Sequence, residues 1–196
     1  MNDPRHIPVA LDRVLSLLQP VLTEESVMVD ATTGLGGHTA AVLRRFPHAR
    51  VIGLDRDPHA VAAARQNLAE FGDRSDVHHA RYDQMGEVLD ELGIERVDAV
   101  LFDFGVSSMQ IDETERGFSY SRSAPLDMRM DPTTGPTAAD ICNTYSQSDL
   151  ARILWEYGEE RFARRIAREI IARRPLHTSD DLVAAVDAAI PAAKRR

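Results

Sequence analysis

The chain has 196 residues, 43% of them hydrophobic and 28% charged, with a formal net charge of −8. This is the make-up of a globular domain with a smaller appendage; it excludes low-complexity and fibrous classes, and leaves nucleic acid only local basic patches to bind. No apolar run reaches membrane-spanning length, the first residues lack a secretion-signal pattern, and Cys142 stands alone, so a reducing cytoplasm is the expected setting. The histidines show no metal-ligand spacing with Cys142, His78-His79 reads as a strand end, and no metal is expected.

Residues 8–18 place Val9, Leu11, Val14, Leu15 and Leu18 at helical spacing, with Pro8 suited to the first turn and Pro20 beyond the end. This predicts a helix packed on a sheet, preceded by a solvated His6. Residues 27–30 predict a strand closing on Asp30, followed by a glycine-rich turn holding Gly34, Gly36 and Gly37 and then a helix. Glycines there let the backbone approach a ligand closely, because no Cβ intervenes; the plain alternative is a turn joining strand to helix. Residues 50–55 predict a second strand closing on Asp55, with Asp57-Pro58 as N-cap and first-turn proline of a helix over 60–71. A carboxylate closing the second strand can accept both ribose hydroxyls of a nucleotide, or it can cap the turn; the glycine loop one βα unit earlier favours ribose.

Residues 77–81 predict a third strand, with Tyr82 at its end as either a cover for a ligand's ring or an edge-packing aromatic. A helix is expected over 85–92, then a fourth strand over 97–103 ending in Asp103. Alternation of strand and helix predicts a parallel, doubly wound α/β sheet with its ligand at the carboxyl edge, where Asp30, Asp55, Tyr82 and Asp103 all fall. The dinucleotide pattern fails, since counting from Gly34 its last position is Thr39, and no P-loop lysine follows. Asp103-Phe104-Gly105 copies a kinase tripeptide without the motifs that give it meaning, so kinase chemistry is rejected. Adenosylmethionine carries no phosphate and needs only close glycine approach; Asp30, the glycine loop and Asp55 resemble the pattern of Rossmann-type class I methyltransferases.

The resemblance sharpens in DFGVSSMQIDETERGFSYSRSAPLDMRMD (103–131), HIPVAL (6–11), TTGLGGHT (32–39) and GLDRDPHA (53–60). With these motifs, spread from His6 to about Arg174, the chain is similar to the 16S ribosomal RNA cytosine-N4 methyltransferase family of RsmH (MraW) type. The resemblance implies S-adenosyl-L-methionine as cofactor, with contacts at Gly36, Gly37, His38, Asp55, Tyr82, Asp103 and Gln110, and the small ribosomal subunit's 16S rRNA as partner. Phe104 departs from the family's usual leucine. Methyl transfer to the exocyclic amine of cytosine is an in-line displacement governed by positioning, and acceptors facing the amine's N–H groups would draw its lone pair out of the ring. Asp103, Ser107 and Ser108, or their backbone carbonyls, are the catalytic candidates. Arg116 and Arg129 are candidate phosphate contacts, with Phe118 or Tyr120 to stack an unpaired base; the alternative is a loop closed by its own aromatics and pairs such as Asp127–Arg129.

From Pro136 the pattern becomes helical throughout. Ser146 caps a helix over 150–157, Gly158 breaks it, and a helix over 159–174 carries Arg161, Arg164, Arg165, Arg168, Arg173 and Arg174. Arg164, Arg165 and Arg168 are candidates to track an RNA backbone; a solvated helix face paired with Glu159, Glu160 and Glu169 is the alternative. Thr178 to Asp181 caps a last helix over 182–190. The expected organisation is an incomplete methyltransferase core over 1–135 and a helical, RNA-facing insertion over 136–196, similar to that of the family. Other readings are a methyltransferase of the same fold acting on a small molecule or protein, a cofactor- or RNA-binding fragment without activity, and, last, a dehydrogenase. Since the family's core has further strands, the sequence is expected to be a truncated form, with residues 97–103 at an open sheet edge. Poor solubility or self-association through that edge is therefore expected, and a soluble, cooperatively unfolding monomer in sedimentation and denaturant titration is the contrary outcome.

Overall fold

The computed structural model describes residues 8–119 and 122–191, with the Ser108 side chain outside the description. The expectations for His6 and Tyr120 fall outside the described residues. The chain forms two compact units, Met1–Gly105 and Val106–Arg196.

In the first unit the order is α1 (Leu11–Leu18), β1 (Val27–Asp30), α2 (Gly37–Arg45), β2 (Arg50–Asp55), α3 (Pro58–Asn67), β3 (Ser75–His79), α4 (Met85–Glu91) and β4 (Ala99–Leu101). The four strands form one sheet in the order β3-β2-β1-β4, every pair parallel, as the alternation predicts. Both faces of the two central strands are covered, which is why β1 and β2 read as unbroken apolar runs. Met28 and Val51 join Leu18, Val42 and Leu43 on one face; their neighbours Val29 and Ile52 join Leu54 and Val88 on the other. Successive side chains point to opposite faces, so one run feeds two cores.

Several boundaries differ from expectation. Helix α1 begins only at Leu11, because Ala10 adopts a left-handed conformation (φ 50°), and Pro8 stays outside it. The helix expected over 60–71 ends at Asn67 and continues as a 3-10 turn through Gly72. Strand β4 is shorter than 97–103 because its one neighbour among the described residues, β1, ends at Asp30 opposite Leu101. It is an edge strand, with Val100 exposed.

Two buried contacts set the glycine loop. The Asp30 carboxylate, almost wholly buried, accepts the Thr39 hydroxyl at 2.7 Å and the Thr32 N–H at 3.3 Å. Thr33 lies over β2, its N–H donating to the Leu54 carbonyl at 2.9 Å. The chain can come so close only because residue 53 is glycine: a Cβ there would sit 2.6 Å from Thr33 Oγ1.

The second unit holds α5 (Ser108–Asp112), α6 (Ala138–Thr144), α7 (Gln147–Glu156), α8 (Ala163–Ala172) and α9 (Ser179–Ala189). Leu126, Cys142, Leu150, Ile166, Ile170 and Leu176 lie in its core. Ser146 and Thr178 cap α7 and α9 as expected, Thr178 with a reciprocal bond to Asp181. The short α5 and α6, which periodicity does not reveal, begin with the same device at Ser107/Gln110 and Thr137/Asp140. Helix α8 is shorter than 159–174, since Glu159 turns left-handed (φ 50°) after Gly158. Composition changes at Pro136, but residues 106–135 are compact with the helices: Leu126 enters their core, and Pro125 bridges Thr178. No helix among the described residues is long and apolar enough to cross a membrane.

Gly53→Ala should cost about 1–3 kcal/mol in urea denaturation, because the added methyl displaces Thr33. Burial raises the Asp30 carboxyl above its ordinary 3.8, an effect only partly offset by the Thr39 and Thr32 hydrogen bonds. Its contribution to stability is therefore fully present below the unfolded value and is lost as pH rises through the raised folded value. An asparagine at this position has no proton to lose. The stability of the parent chain minus that of Asp30→Asn should fall as pH is raised from about 4 to 8; a difference independent of pH would contradict this.

Candidate functional site

Parallel strands bring their carboxyl ends to one edge, so Asp30 and Asp55 close adjacent strands, and Tyr82 and Asp103 follow β3 and β4. Asp30 is spent inside the loop, so the acceptors left at this edge are Asp55 and Asp103.

Asp55 Oδ2 accepts the Gly34 N–H at 2.8 Å, and Oδ1 accepts the Asp57 N–H at 2.9 Å. A carboxylate has roughly four lone-pair positions, so about two remain, enough for the two hydroxyls of a vicinal diol. The turn-capping reading of Asp55 is therefore what its contacts show, and the carboxylate keeps acceptor capacity beyond them. Burial pushes its carboxyl above the ordinary value, with the Asp57 and Gly34 N–H groups pulling the other way. Gly34 is left-handed (φ 54°), and nothing lies within 4 Å of where its Cβ would be, so the loop backbone is open to close approach.

Gly36 (φ 85°) is the N-cap of α2 and packs beneath Leu68, while Gly37 lies against the Pro8 ring, 2.8 Å from where its Cβ would sit. His38 is buried, its Nε2 paired with the Val9 carbonyl at 3.0 Å. A carbonyl only accepts, so Nε2 carries the proton, which leaves Nδ1 facing Asp103 Oδ2 at 3.8 Å. The stretch 8–9 is therefore a brace for the glycine loop, a role that helical periodicity does not signal; HIPVAL, one of the strings carrying the family resemblance, was the available clue.

The Asp103 N–H donates to Thr32 Oγ1 at 2.7 Å, which ties the end of β4 to the loop after β1, and its side chain is 43% exposed. Tyr82 forms edge contacts with Phe102 (5.9 Å) and Phe104 (5.7 Å), which stack on each other at 5.3 Å. All three are exposed, Phe104 most of all at 71%. The sequence signals Tyr82 alone; the partnership with two phenylalanines beside Asp103 comes from the sheet order. This edge offers acceptors for a diol, a carboxylate for a cationic group, an open glycine backbone and aromatic faces for a flat ring.

The remaining site residues lie in the second unit. Ser107 and Gln110 cap α5 reciprocally: Ser107 Oγ accepts the Gln110 N–H at 3.2 Å, and Gln110 Oε1 accepts the Ser107 N–H at 3.0 Å. Ser108 opens that helix; its side chain lies outside the description. Arg116, expected to hold phosphate, is buried instead, and its guanidinium donates to the carbonyls of Arg129 (3.1 Å) and Met130 (2.8 Å). Gly117 (φ 74°) lets this turn press on the next stretch, since a Cβ would come 2.3 Å from the Pro125 carbonyl. Phe118 is half-buried in the same turn. Arg129 grips both oxygens of Asp127, at 2.9 and 2.7 Å, and holds that carboxyl below its ordinary value. The self-closed loop, the alternative to phosphate binding, thus describes Arg116 and Arg129. Arg164, Arg165 and Arg168 are exposed on α8, opposite its buried Ile166, Ala167 and Ile170.

The family model described as the MraW methylase family matches residues 3–196. A curated relative from a Nocardioides species, named ribosomal RNA small subunit methyltransferase H, is 60% identical over 200 residues, covering 100% of this chain and 63% of the relative. A relative of the same name from a Parafrankia species is 57% identical, covering 99% of this chain and 61% of its own length. A third, from Mycolicibacterium smegmatis, is 55% identical, covering 100% of this chain and 55% of its own length. The chain thus spans about three fifths of the length of the curated relatives it matches. The sheet edge and glycine loop described above lie inside the matched residues, and the resemblance expected from the motifs is borne out: this chain belongs to the MraW methylase family.

Proposed function

We propose that the chain carries the cofactor-binding part of an S-adenosyl-L-methionine-dependent methyltransferase that methylates the N4 amine of a cytosine in 16S rRNA of the small ribosomal subunit. The observation carrying this reading is Asp55, held by Gly34 and Asp57 with acceptor capacity to spare, at the open glycine loop of a family described as methylases. The donor set fits the cofactor. Asp55 would accept the ribose hydroxyls, the loop through Gly36 and Gly37 would run beside the nucleoside, Tyr82 would lie against its ring, and Asp103 would face its cationic part. When bound, the cofactor supplies an activated methyl group on a sulfonium.

The chain's own residues then position the acceptor. Thr32 fixes the Asp103 backbone, and His38, held by Val9, limits where the Asp103 carboxylate can turn. An acceptor at Asp103 Oδ1 or Oδ2, or at its carbonyl, would take a hydrogen bond from the cytosine amine and favour the tetrahedral nitrogen that attacks. Ser107 and Ser108 remain proposed partners in that loop, as Gln110 does for the cofactor. The curated relatives named small subunit methyltransferases support an rRNA acceptor over a small molecule or protein.

Calorimetric titration of the 196-residue chain with adenosylmethionine tests the reading. Asp55→Ala should weaken binding by about tenfold or more, as expected for losing hydrogen bonds to a charged acceptor. Asp103→Ala should lower single-turnover methyl transfer to small-subunit RNA at saturating cofactor. Binding that survives Asp55→Ala would remove Asp55 from the site, and transfer unaffected by Asp103→Ala would remove Asp103 from catalysis. Binding without any transfer would leave a cofactor-binding chain lacking activity.

A further inference from the structure

Helices α7 and α8 enclose an open groove of about 990 Å³ lined by Trp155, Phe162, Arg152, Arg161, Arg164 and Arg165, together with small and uncharged polar residues and no carboxylate. Trp155 is the only tryptophan of the chain and is 61% exposed. It falls off the apolar stripe of α7, whose Leu150 is buried, so packing within the unit does not account for it. An exposed tryptophan in a groove marks a contact surface more often than a scattered apolar side chain does.

The arginines decide what kind of contact. On an ordinary solvated helix they would be paired with acids one turn away. Here Glu160, one turn before Arg164, accepts the Phe162 N–H at 2.6 Å, and neither Arg161, Arg164 nor Arg165 has a carboxylate within 4.0 Å among the described residues. Arg165 lies over the Phe162 ring at 5.7 Å, which holds its guanidinium at the groove. Arg152 is paired with Glu156 at 3.0 Å. Helix α8 begins at the groove with Ala163, and the Glu160 carboxylate sits on the N–H of its N-cap residue Phe162, engaged with the helix end and not with an arginine. A chain with net charge −8 thus places three arginines without a carboxylate partner among the described residues beside its one tryptophan.

We propose that this groove binds a single-stranded segment of RNA, one base stacked on Trp155 and the adjoining phosphates held by Arg161, Arg164 and Arg165. The choice of RNA rests on the function proposed above; the choice of a single strand rests on the groove, because a base can offer its face only when it has left a helix. Of the arginines expected from the sequence to follow an RNA backbone, Arg164 and Arg165 line this groove and Arg168 does not.

The single tryptophan is the reporter. The 196-residue chain is titrated with an unstructured ten-nucleotide oligoribonucleotide, with a duplex of the same composition and with an acidic decapeptide, following Trp155 fluorescence over a salt series. Saturable quenching by the single strand is expected, at least about fivefold tighter than by the duplex, with a log–log salt slope of about −2 for three phosphate contacts. The double variant Arg164→Ala/Arg165→Ala should bind about tenfold more weakly and lower the slope to about −0.7. Absence of quenching, an affinity indifferent to salt, equal binding of the duplex, or quenching by the acidic peptide as strong as by RNA would each overturn the proposal, the last assigning the groove to a protein partner. The wild-type salt series needs no variant to fold. Calorimetry with adenosylmethionine on the same sample separates the two readings. RNA quenching without cofactor binding leaves the groove assigned and removes methyl transfer, while cofactor binding without quenching does the reverse.

Discussion

The first unit depends on carboxylates that fold the chain's own turns. Asp30 lies at the centre of this, buried at the end of β1 and accepting from Thr39 in α2 and Thr32 in the loop between them. Asp55 does the same one strand over, joining the Gly34 loop to the start of α3 through Asp57. Burying a carboxylate is costly unless donors surround it, and these donors are backbone and hydroxyl groups that the turns themselves hold in place. The glycine loop is thereby tied at both sides, to Asp30 through Thr32 and Thr39 and to Asp55 through Gly34. Asp30 is consumed by this role, whereas Asp55 is consumed only in part, which separates a sealed carboxylate from one with acceptor capacity to spare at the same sheet edge.

The second unit shows the opposite use of charge. Two arginines of the 116–131 stretch that look available in the sequence are absorbed by the loop, Arg116 by carbonyls and Arg129 by Asp127. Forks of planar donors suit that work, since one guanidinium can satisfy several acceptors that a loop without regular structure leaves unpaired. On α8, Arg164 and Arg165 have no carboxylate within 4.0 Å among the described residues. The contrast lies in surroundings and not in residue type, so counting arginines could not have told the two groups apart.

The features legible in advance are those with short-range causes. The bounds of strand β2 can be read directly because an apolar run between Pro47 and Asp57 admits little else, and the caps at Asp57, Ser146 and Thr178 follow from side chains that reach only their own turn. Parallel order follows from alternation. Less legible are Pro8 against Gly37 and Val9 bonded to His38, about thirty residues apart in the chain, and the Tyr82, Phe102 and Phe104 cluster, which exists only because their strands end at the same edge.

By itself the sequence determined the α/β class, the glycine loop, the acids that close its strands and the motifs that place it in its family, because each is written in neighbouring residues and their spacing. Only the tertiary structure decided which acid is sealed and which retains lone pairs, which arginines are buried in a loop and which line a groove, and where the one tryptophan faces. Those outcomes depend on what packs against each side chain, and burial changes the worth of a charge or a hydrogen bond more than the identity of the residue does.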